Sequence, residues 1–165
     1  GCECPEILFK VIAMISQTAE YALRAIVYLA DQRGLPRTTA QIAEVTQVPP
    51  GYLAKVMQSL SRMKLVNSQR GLNGGFTLMK DPADLSMLDV ISAVDPIRRF
   101  HECPLGLPSH GDDLCPLHGH LEEASKLLET KFSETSIAHL LNVPTDKKPL
   151  CQFPHVVDPP AAEPE

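Results

Sequence analysis

The chain has 165 residues, of which 44% are hydrophobic and 5% aromatic, with no Trp. This length predicts one globular domain with added segments at its ends, and no apolar run approaches the ~20 residues of a membrane span. The formal net charge of −5 argues at first sight against a nucleic-acid partner. Counted by segment, however, residues 14–82 hold eight basic and four acidic side chains, a net of +4. Residues 83–165 carry a net of −8, so the acidity belongs to the C-terminal half and the N-terminal half is basic.

The five cysteines limit the compartment and the chemistry. Cys2, Cys4, Cys103, Cys115 and Cys151 are odd in number and widely spaced, and no clear secretory signal precedes them. This pattern argues against a disulfide scaffold and predicts a reducing cytoplasm. In that compartment a close group of Cys and His binds a metal or senses redox state more often than it staples a fold.

Residues 1–13 show neither helical nor strand spacing and are predicted to form an arm outside the folded body, with Met14 as the natural start. Cys2 and Cys4 within this arm are an alternative pair of metal ligands. From Ser16 to Ala30, apolar residues recur at steps of three and four, which predicts a first helix that Gly34 and Pro36 end.

Two further helices are predicted to form a helix-turn-helix. The first of them follows Thr38 or Thr39 as N-cap and breaks at residues 47–49. The second begins at Pro50, where a missing N–H costs little, and runs to Met63. A short helix and a longer helix joined by a tight turn have the helix-turn-helix arrangement.

A β-hairpin is predicted directly after these helices. Residues 65–70 and 76–80 alternate as strands on either side of the Gly-rich residues 71–75. Such a hairpin is a wing, so residues 14–82 are predicted to form a winged helix domain. The predicted fold is mostly α with a small β-wing.

The C-terminal half is predicted to begin with a helix over Met87–Val94 that a capping box of Ser86 and Asp89 opens. Residues 95–117 form a loop rich in Pro, Gly, Cys and His, and a long helix over 117–132 and a short one over 135–141 follow. Residues 142–165 are rich in Pro and are predicted to be a disordered tail.

The helix that begins at Pro50 is expected to enter the major groove of DNA, with the preceding helix braced across the backbone. Arg70 is expected to enter a narrow minor groove, because it stands beside a Gly-rich tip that can approach DNA closely. A solvated face is the alternative for Lys55 and Gln58. The predicted DNA-binding residues are Thr38, Thr39, Gln41, Tyr52, Lys55, Gln58, Arg62, Ser68, Arg70 and Asn73.

Residues 20–25, 42–44, 48–56 and 65–78 together resemble the winged-helix regulator family that includes IscR, NsrR and RsrR, and the wing motif S-x-R-G-x-x-G-G is the most distinctive element. The resemblance covers about residues 14–141. It implies a homodimeric bacterial transcription factor, usually a repressor, whose long C-terminal helix is the dimer contact. Residues 83–141 are accordingly expected to hold the sensor loop and the dimerisation helices. Many members of that family sense through an iron–sulfur cluster.

The loop departs from the three cysteines of IscR-like and NsrR-like members, because no cysteine lies between Cys103 and Cys115. Two thiolates completed by His118, His110 or His101 are chemically reasonable, since His replaces Cys in some [2Fe–2S] sites. RsrR-like members complete two Cys ligands with a Glu and a His from the first helix of the partner. Glu20 matches that Glu, whereas Arg24 stands at the His position and cannot ligate.

The predicted cofactor is therefore a [2Fe–2S] iron–sulfur cluster, with Cys103, Cys115, His118 and Glu20 as the metal ligands. The same two thiols and imidazole also suit tetrahedral zinc, and direct thiol redox chemistry or a metal-free loop are further alternatives. The predicted partners are double-stranded operator DNA and a second copy of the chain, with no membrane.

Two other classes of function compete with this interpretation. One is a metal-free winged helix that regulates without a cluster or binds a protein partner. The other is an enzyme in which Cys115 acts as nucleophile and His118 as base, and it is disfavoured because the sequence offers no evident oxyanion site or substrate pocket.

Overall fold

The computed structural model describes residues 14–104, 109 and 113–143. Within these residues the chain forms six helices and one antiparallel hairpin. Their bounds are α1 Gln17–Asp31, α2 Thr39–Thr46, α3 Pro50–Arg62, β1 Val66–Gln69, β2 Gly75–Leu78, α4 Met87–Val94, α5 Pro116–Glu134 and α6 Ile137–Asn142. The predicted arm over 1–13 and residues 144–165 of the predicted tail lie outside the described residues. The predicted fold class, mostly α with a β-wing, is confirmed.

Local capping signals set where the helices begin. The Ser16 hydroxyl accepts the Ala19 N–H at 3.1 Å and caps α1. The predicted capping box of Ser86 and Asp89 is present at the start of α4, with both reciprocal hydrogen bonds formed. Helix α3 begins at Pro50 as predicted, where a residue without an N–H leaves no intrahelical partner unsatisfied.

The sequence-based bounds differ from the structure by one or two residues in several elements; α3 ends at Arg62, one residue early, and α6 spans Ile137–Asn142 rather than 135–141. Both strands are shorter than predicted, and β2 begins at Gly75 because that glycine already pairs with Gln69. Helix α5 begins at Pro116 rather than at Leu117, since proline is well suited to the first helical position. It also continues to Glu134, two residues beyond the predicted end.

Helix α1 lies at the centre of the core and packs against α2, α3, α4, α6 and β2. Its Ile26 is fully buried together with Ile42 of α2, Leu53 of α3 and Val90 of α4. The short last helix joins the same core through Ile137, whose N–H donates to the Leu85 carbonyl at 2.8 Å. The chain therefore leaves the core after α4 and returns to it at α6, with α5 between.

The wing is fixed to the start of the helix-turn-helix by Arg37. The Phe76 N–H donates to the Arg37 carbonyl at 2.7 Å, and the Arg37 N–H donates back to the Phe76 carbonyl at 3.1 Å. Gly75 makes this approach possible, because a Cβ there would lie 2.6 Å from the Arg37 carbonyl carbon and oxygen. Gly74 is constrained likewise, with a Cβ reaching 2.4 Å from the Gln69 carbonyl oxygen. The paired glycines of the wing motif are thus required by backbone contact.

Candidate nucleic-acid interface and metal centre

Helix α3 divides into a buried face and an exposed polar face. Its apolar residues are packed in the core, whereas Lys55, Gln58 and Arg62 are exposed along the opposite side. Among the described residues, Lys55 and Arg62 form none of the ion pairs of the chain. Their charges are thus available to phosphate or base edges, which is what a recognition helix needs.

Tyr52, at the first turn of α3, is held against α1. Its hydroxyl lies 2.7 Å from the Thr18 hydroxyl, and its ring meets the Tyr21 ring edge to face at 5.4 Å. This contact joins residues 34 positions apart, and no sequence pattern predicted it. A base contact by Tyr52 stays a prediction, and its ring and hydroxyl orient the start of α3.

The predicted phosphate-binding residues at the start of α2 are engaged in capping. The Thr38 hydroxyl accepts the Gln41 N–H at 3.3 Å, and the Gln41 side-chain oxygen accepts the Thr38 N–H at 2.9 Å. Thr39 is half-buried in the first turn. These contacts fix the entry to the helix-turn-helix, and DNA contact by the three side chains stays a prediction.

The wing exposes its predicted residues at the tip. Ser68, Arg70 and Asn73 are all exposed, and Arg70 directly follows β1. Gly71 adopts a φ of +114°, a backbone conformation that favours glycine and turns the chain at the tip. Arg70 also forms no ion pair within the described part of the chain. The exposed guanidinium is therefore available to contact DNA.

A compact group of sulfur and nitrogen donors lies where the loop meets α5. Cys115 Sγ lies 3.1 Å from His118 Nδ1, and Cys103 Sγ lies 3.8 Å from the same nitrogen. All three donor atoms lie within 4.8 Å of one another. Cys103 is buried and the other two residues are half-buried, so the group sits at the edge of the protein. Both cysteines are outside any disulfide.

Helix geometry explains the position of two of the three donors. Cys115 is the N-cap of α5 and His118 lies in its first turn, so the three-residue spacing puts both on one side of the helix end. Cys103 comes from the segment after α4, and Phe100 of that segment packs its ring on the His118 ring at 5.4 Å. Of the alternative ligands, His101 is exposed and His110 lies outside the described residues.

The segment that carries Cys103 is bound to α5 by ion pairs. Arg99 Nε donates to Glu122 Oε1 at 2.8 Å, and the same guanidinium also contacts Glu129. The Phe100 N–H donates to Glu122 Oε2 at 2.7 Å. The hydrogen bond from Arg99, reinforced by that from Phe100, lowers the pKa of Glu122 from 4.5 to about 2. Sequence reasoning missed these residues; the available signal was an acidic residue one turn beyond His118.

Glu20, the predicted ligand on α1, is paired within its own helix. Its carboxylate accepts Arg24 Nε at 2.6 Å, and Arg24 also donates to the Thr46 carbonyl at 3.2 Å. Within one chain's described residues, the donor group does not include Glu20. Metal ligation by Glu20 was predicted across a dimer, so it stays a prediction about a second copy.

Comparison with known proteins identifies the family. The model of the Rrf2 family, described as iron-dependent transcriptional regulator, matches residues 15–143. The chain belongs to the Rrf2 family. An HTH-type transcriptional regulator of Aquifex aeolicus is 33% identical over 133 residues, which cover 79% of this chain and 92% of that protein. The regulator resemblance seen in the sequence is therefore confirmed.

Solved structures agree with the Rrf2 assignment. The IscR of T. potens is 25% identical, covers 77% of this chain and 85% of its own, and has a TM-score of 0.63. CymR of B. subtilis, titled a global cysteine regulator, is 22% identical, covers 76% and 94%, and has a TM-score of 0.62. The second likeness supports the fold of this Rrf2 protein.

Membership of the Rrf2 family also decides between the classes of function. The relatives and structural neighbours are transcriptional regulators, so the enzyme alternative is set aside and this Rrf2 protein is a regulator with a DNA-binding fold. In the described part of the chain, every helix is too short or too polar to cross a bilayer.

Proposed function

We propose that this chain is a homodimeric transcriptional repressor whose affinity for operator DNA is set by the chemical state of Cys103, Cys115 and His118. The observation that carries the proposal is the convergence of two thiols and an imidazole within 4.8 Å. The group joins the segment after α4, which carries Cys103, to the first turn of α5, so a change in its ligation acts on the connection between them. Only a difference in affinity between the two states can shift the binding equilibrium.

The donor set fits the predicted [2Fe–2S] cluster in its chemistry. Cys103 and Cys115 supply two thiolates and His118 an imidazole, which are ligand types such clusters use. The remaining ligand is predicted from Glu20 of a second copy. A bound cluster would supply one-electron redox chemistry and sensitivity to oxidants. Cys103, Cys115 and His118 would hold the cluster, and the burial of Cys103 would shield one side of it from solvent.

A single zinc ion is the second candidate occupant, favoured by the two sulfur–nitrogen separations. With Zn–S about 2.3 Å and Zn–N about 2.0–2.1 Å, donors around one tetrahedral ion lie about 3.6–3.8 Å apart. The observed separations of 3.1 and 3.8 Å to His118 lie close to that range. All three donors can therefore reach one ion, with a fourth ligand from outside the group.

The dimer is proposed on the exposed face of α5. Among the described residues of this helix only Glu122 is buried, while Leu117, Leu121 and Leu127 are 65%, 42% and 72% exposed. Leu117, Leu121, Ala124 and Leu128 recur at steps of four and three, as in a helix that packs along a second helix. A second copy of the chain carries the same apolar stripe, so pairing of the two α5 helices would bury both stripes.

Anaerobic purification tests the sensor. We expect metal at one site per chain, with iron, sulfide and a visible absorption band for a cluster, or zinc without colour for a single ion. Cys103→Ala and Cys115→Ala should both lose the metal, whereas the matched variant Cys151→Ala should keep it. Wild-type protein that holds neither iron nor zinc after anaerobic reconstitution would overturn the metal-sensing proposal.

The dimer has a separate test. Sedimentation of the full chain should give twice the chain mass, and Leu121→Asp should give the monomer, because a charge is placed in the middle of the apolar stripe. Glu123→Asp, on the exposed side of the same helix, should leave the dimer unchanged. A monomeric wild type at micromolar concentration would contradict the proposed assembly.

A further inference from the structure

Arg99 connects the loop to α5 at two points that lie two turns apart. Its guanidinium contacts the carboxylates of Glu122 and Glu129, so it lies along the helix rather than against a single residue. The salt bridge is partly shielded, because the Glu122 side chain is only 11% exposed. Residues 99–103, called here the clamp segment, thus begin at an anchored residue and end at the buried Cys103.

Both oxygens of the Glu122 carboxylate are engaged. Oε1 accepts from the Arg99 guanidinium through Nε and Nη2, and Oε2 accepts from the Phe100 backbone N–H. A carboxylate is well suited to this geometry, since it offers two acceptor oxygens and no donor. An amide offers one acceptor, so it can serve one of the two partners and not both.

The clamp and the donor group share one face of α5. Residues 118, 122 and 129 are separated by four and seven positions, which places them close together around the helix. Phe100 contacts both the clamp and the donor group, since its N–H donates to Glu122 while its ring packs on His118. The contacts that hold the clamp segment therefore continue directly to a metal donor.

We propose that Glu122 is a positioning residue that fixes the clamp segment on α5 and so brings Cys103 to Cys115 and His118. It acts through Arg99 and Phe100, and among the described residues its carboxylate is not part of the group of metal donors. This role rests on the proposed function and deepens it. It identifies Glu122 as the residue that connects the donor group to α5, the proposed dimer helix. The positioning of Cys103 does not itself depend on which metal binds.

The experiment measures how accessible Cys103 is without metal. The full chain, reduced and treated with a chelator, is alkylated with iodoacetamide, and modification of Cys103 and Cys115 is followed by fragment mass spectrometry. In Glu122→Gln we expect Cys103 to react about tenfold faster than in wild type, since its burial depends on the clamp segment. Glu123→Gln is the matched control, because it makes the same chemical change at an exposed neighbouring position.

A double-mutant cycle separates the clamp from general loosening. Arg99→Gln should reproduce the effect of Glu122→Gln, and the double variant should add nothing further, because each single change already opens the same contact. Hydrogen exchange of α1 should stay unchanged in all of them. The inference would be overturned if Cys103 reacted at the same rate in Glu122→Gln as in Glu123→Gln. It would also be overturned if hydrogen exchange of α1 in Glu122→Gln were accelerated as much as the alkylation of Cys103.

Zinc titration adds a readout for the site itself. Competition with a chromophoric chelator should show zinc bound about tenfold more weakly by Glu122→Gln, as is typical when a residue that orients metal ligands is changed. Zinc affinity equal to that of Glu123→Gln would contradict the positioning role. Wild type that binds no metal would sink the sensor proposal alone, since the alkylation experiment decides the clamp without metal.

Discussion

Cys115 Sγ and His118 Nδ1 lie 3.1 Å apart at the first turn of α5, and both face the thiol of Cys103. Removal of one donor should leave the others unable to hold an ion. We expect His118→Ala to weaken zinc or iron binding at least tenfold while the fold is retained, since this residue is not part of the apolar core. Metal content after dialysis against a weak chelator measures this, with His120→Ala as the matched control at an exposed position on the same helix. Equal retention by both variants would show that His118 is not a ligand.

Gly75→Ala should destabilise the wing. The added Cβ would lie 2.6 Å from the backbone of Arg37, and φ at this position is +152°. We expect a loss of about 1–3 kcal/mol in the free energy of unfolding, the range for a forced backbone shift.

Urea unfolding compares the free energy of unfolding of Gly75→Ala with that of the control Gly51→Ala. Nothing lies within 4 Å of a Cβ on Gly51, which is in the first turn of α3. That variant should be neutral or stabilised by up to about 1 kcal/mol, because the unfolded chain loses freedom. Equal stability of the two variants would show that the wing does not depend on the contact with Arg37.

Arg70→Ala should weaken operator binding most at sites with narrow A·T-rich minor grooves. The side chain stands at the exposed wing tip, and such grooves attract guanidinium groups. We expect a loss of roughly tenfold in affinity at those sites. Fluorescence anisotropy on duplexes selected from a random library, at fixed salt, measures it. The control Lys131→Ala removes the same charge from α5, and an equal loss on all sequences would reduce Arg70 to a phosphate contact.

The low pKa of Glu122 gives stability a defined pH dependence. Because hydrogen bonds from Arg99 and Phe100 lower that pKa from 4.5 to about 2, the charged carboxylate stabilises the folded state. This contribution is complete above pH 4.5 and is lost as the pH falls toward 2. The melting temperatures of wild type and Glu122→Gln should therefore differ by a constant amount from pH 5 to 7 and converge below pH 4. A difference that widens as the pH falls would contradict the assignment.

The features that sequence reasoning predicted well are those set by near neighbours. Ser86 and Asp89 form their capping box across three residues, and Pro50 begins α3 by its own backbone restriction. The wing was predicted because residues 65–70 and 76–80 alternate as strands on either side of the Gly-rich residues 71–75. Each of these signals is contained in a few consecutive residues.

The features that it missed depend on packing between distant segments. Thr18 and Tyr52 meet only because α1 and α3 cross near their first turns. Arg99 and Glu122 are 23 residues apart in the sequence, and they meet because α4 and α5 pack together. Cys103, Cys115 and His118 were predicted as one ligand set, whereas the contacts of Arg99 with Glu122 and Glu129 beside them were not.

The proposed sensor is tested by measuring operator affinity with metal bound at Cys103, Cys115 and His118 and again after the metal is removed. The full chain is assayed anaerobically by fluorescence anisotropy on one selected duplex, at one salt concentration, before and after removal of the metal. We expect a difference of at least roughly fivefold in wild type, the lower range for coupling between two sites, and none in Cys115→Ala. Equal affinity of loaded and emptied wild type would contradict the proposed sensor.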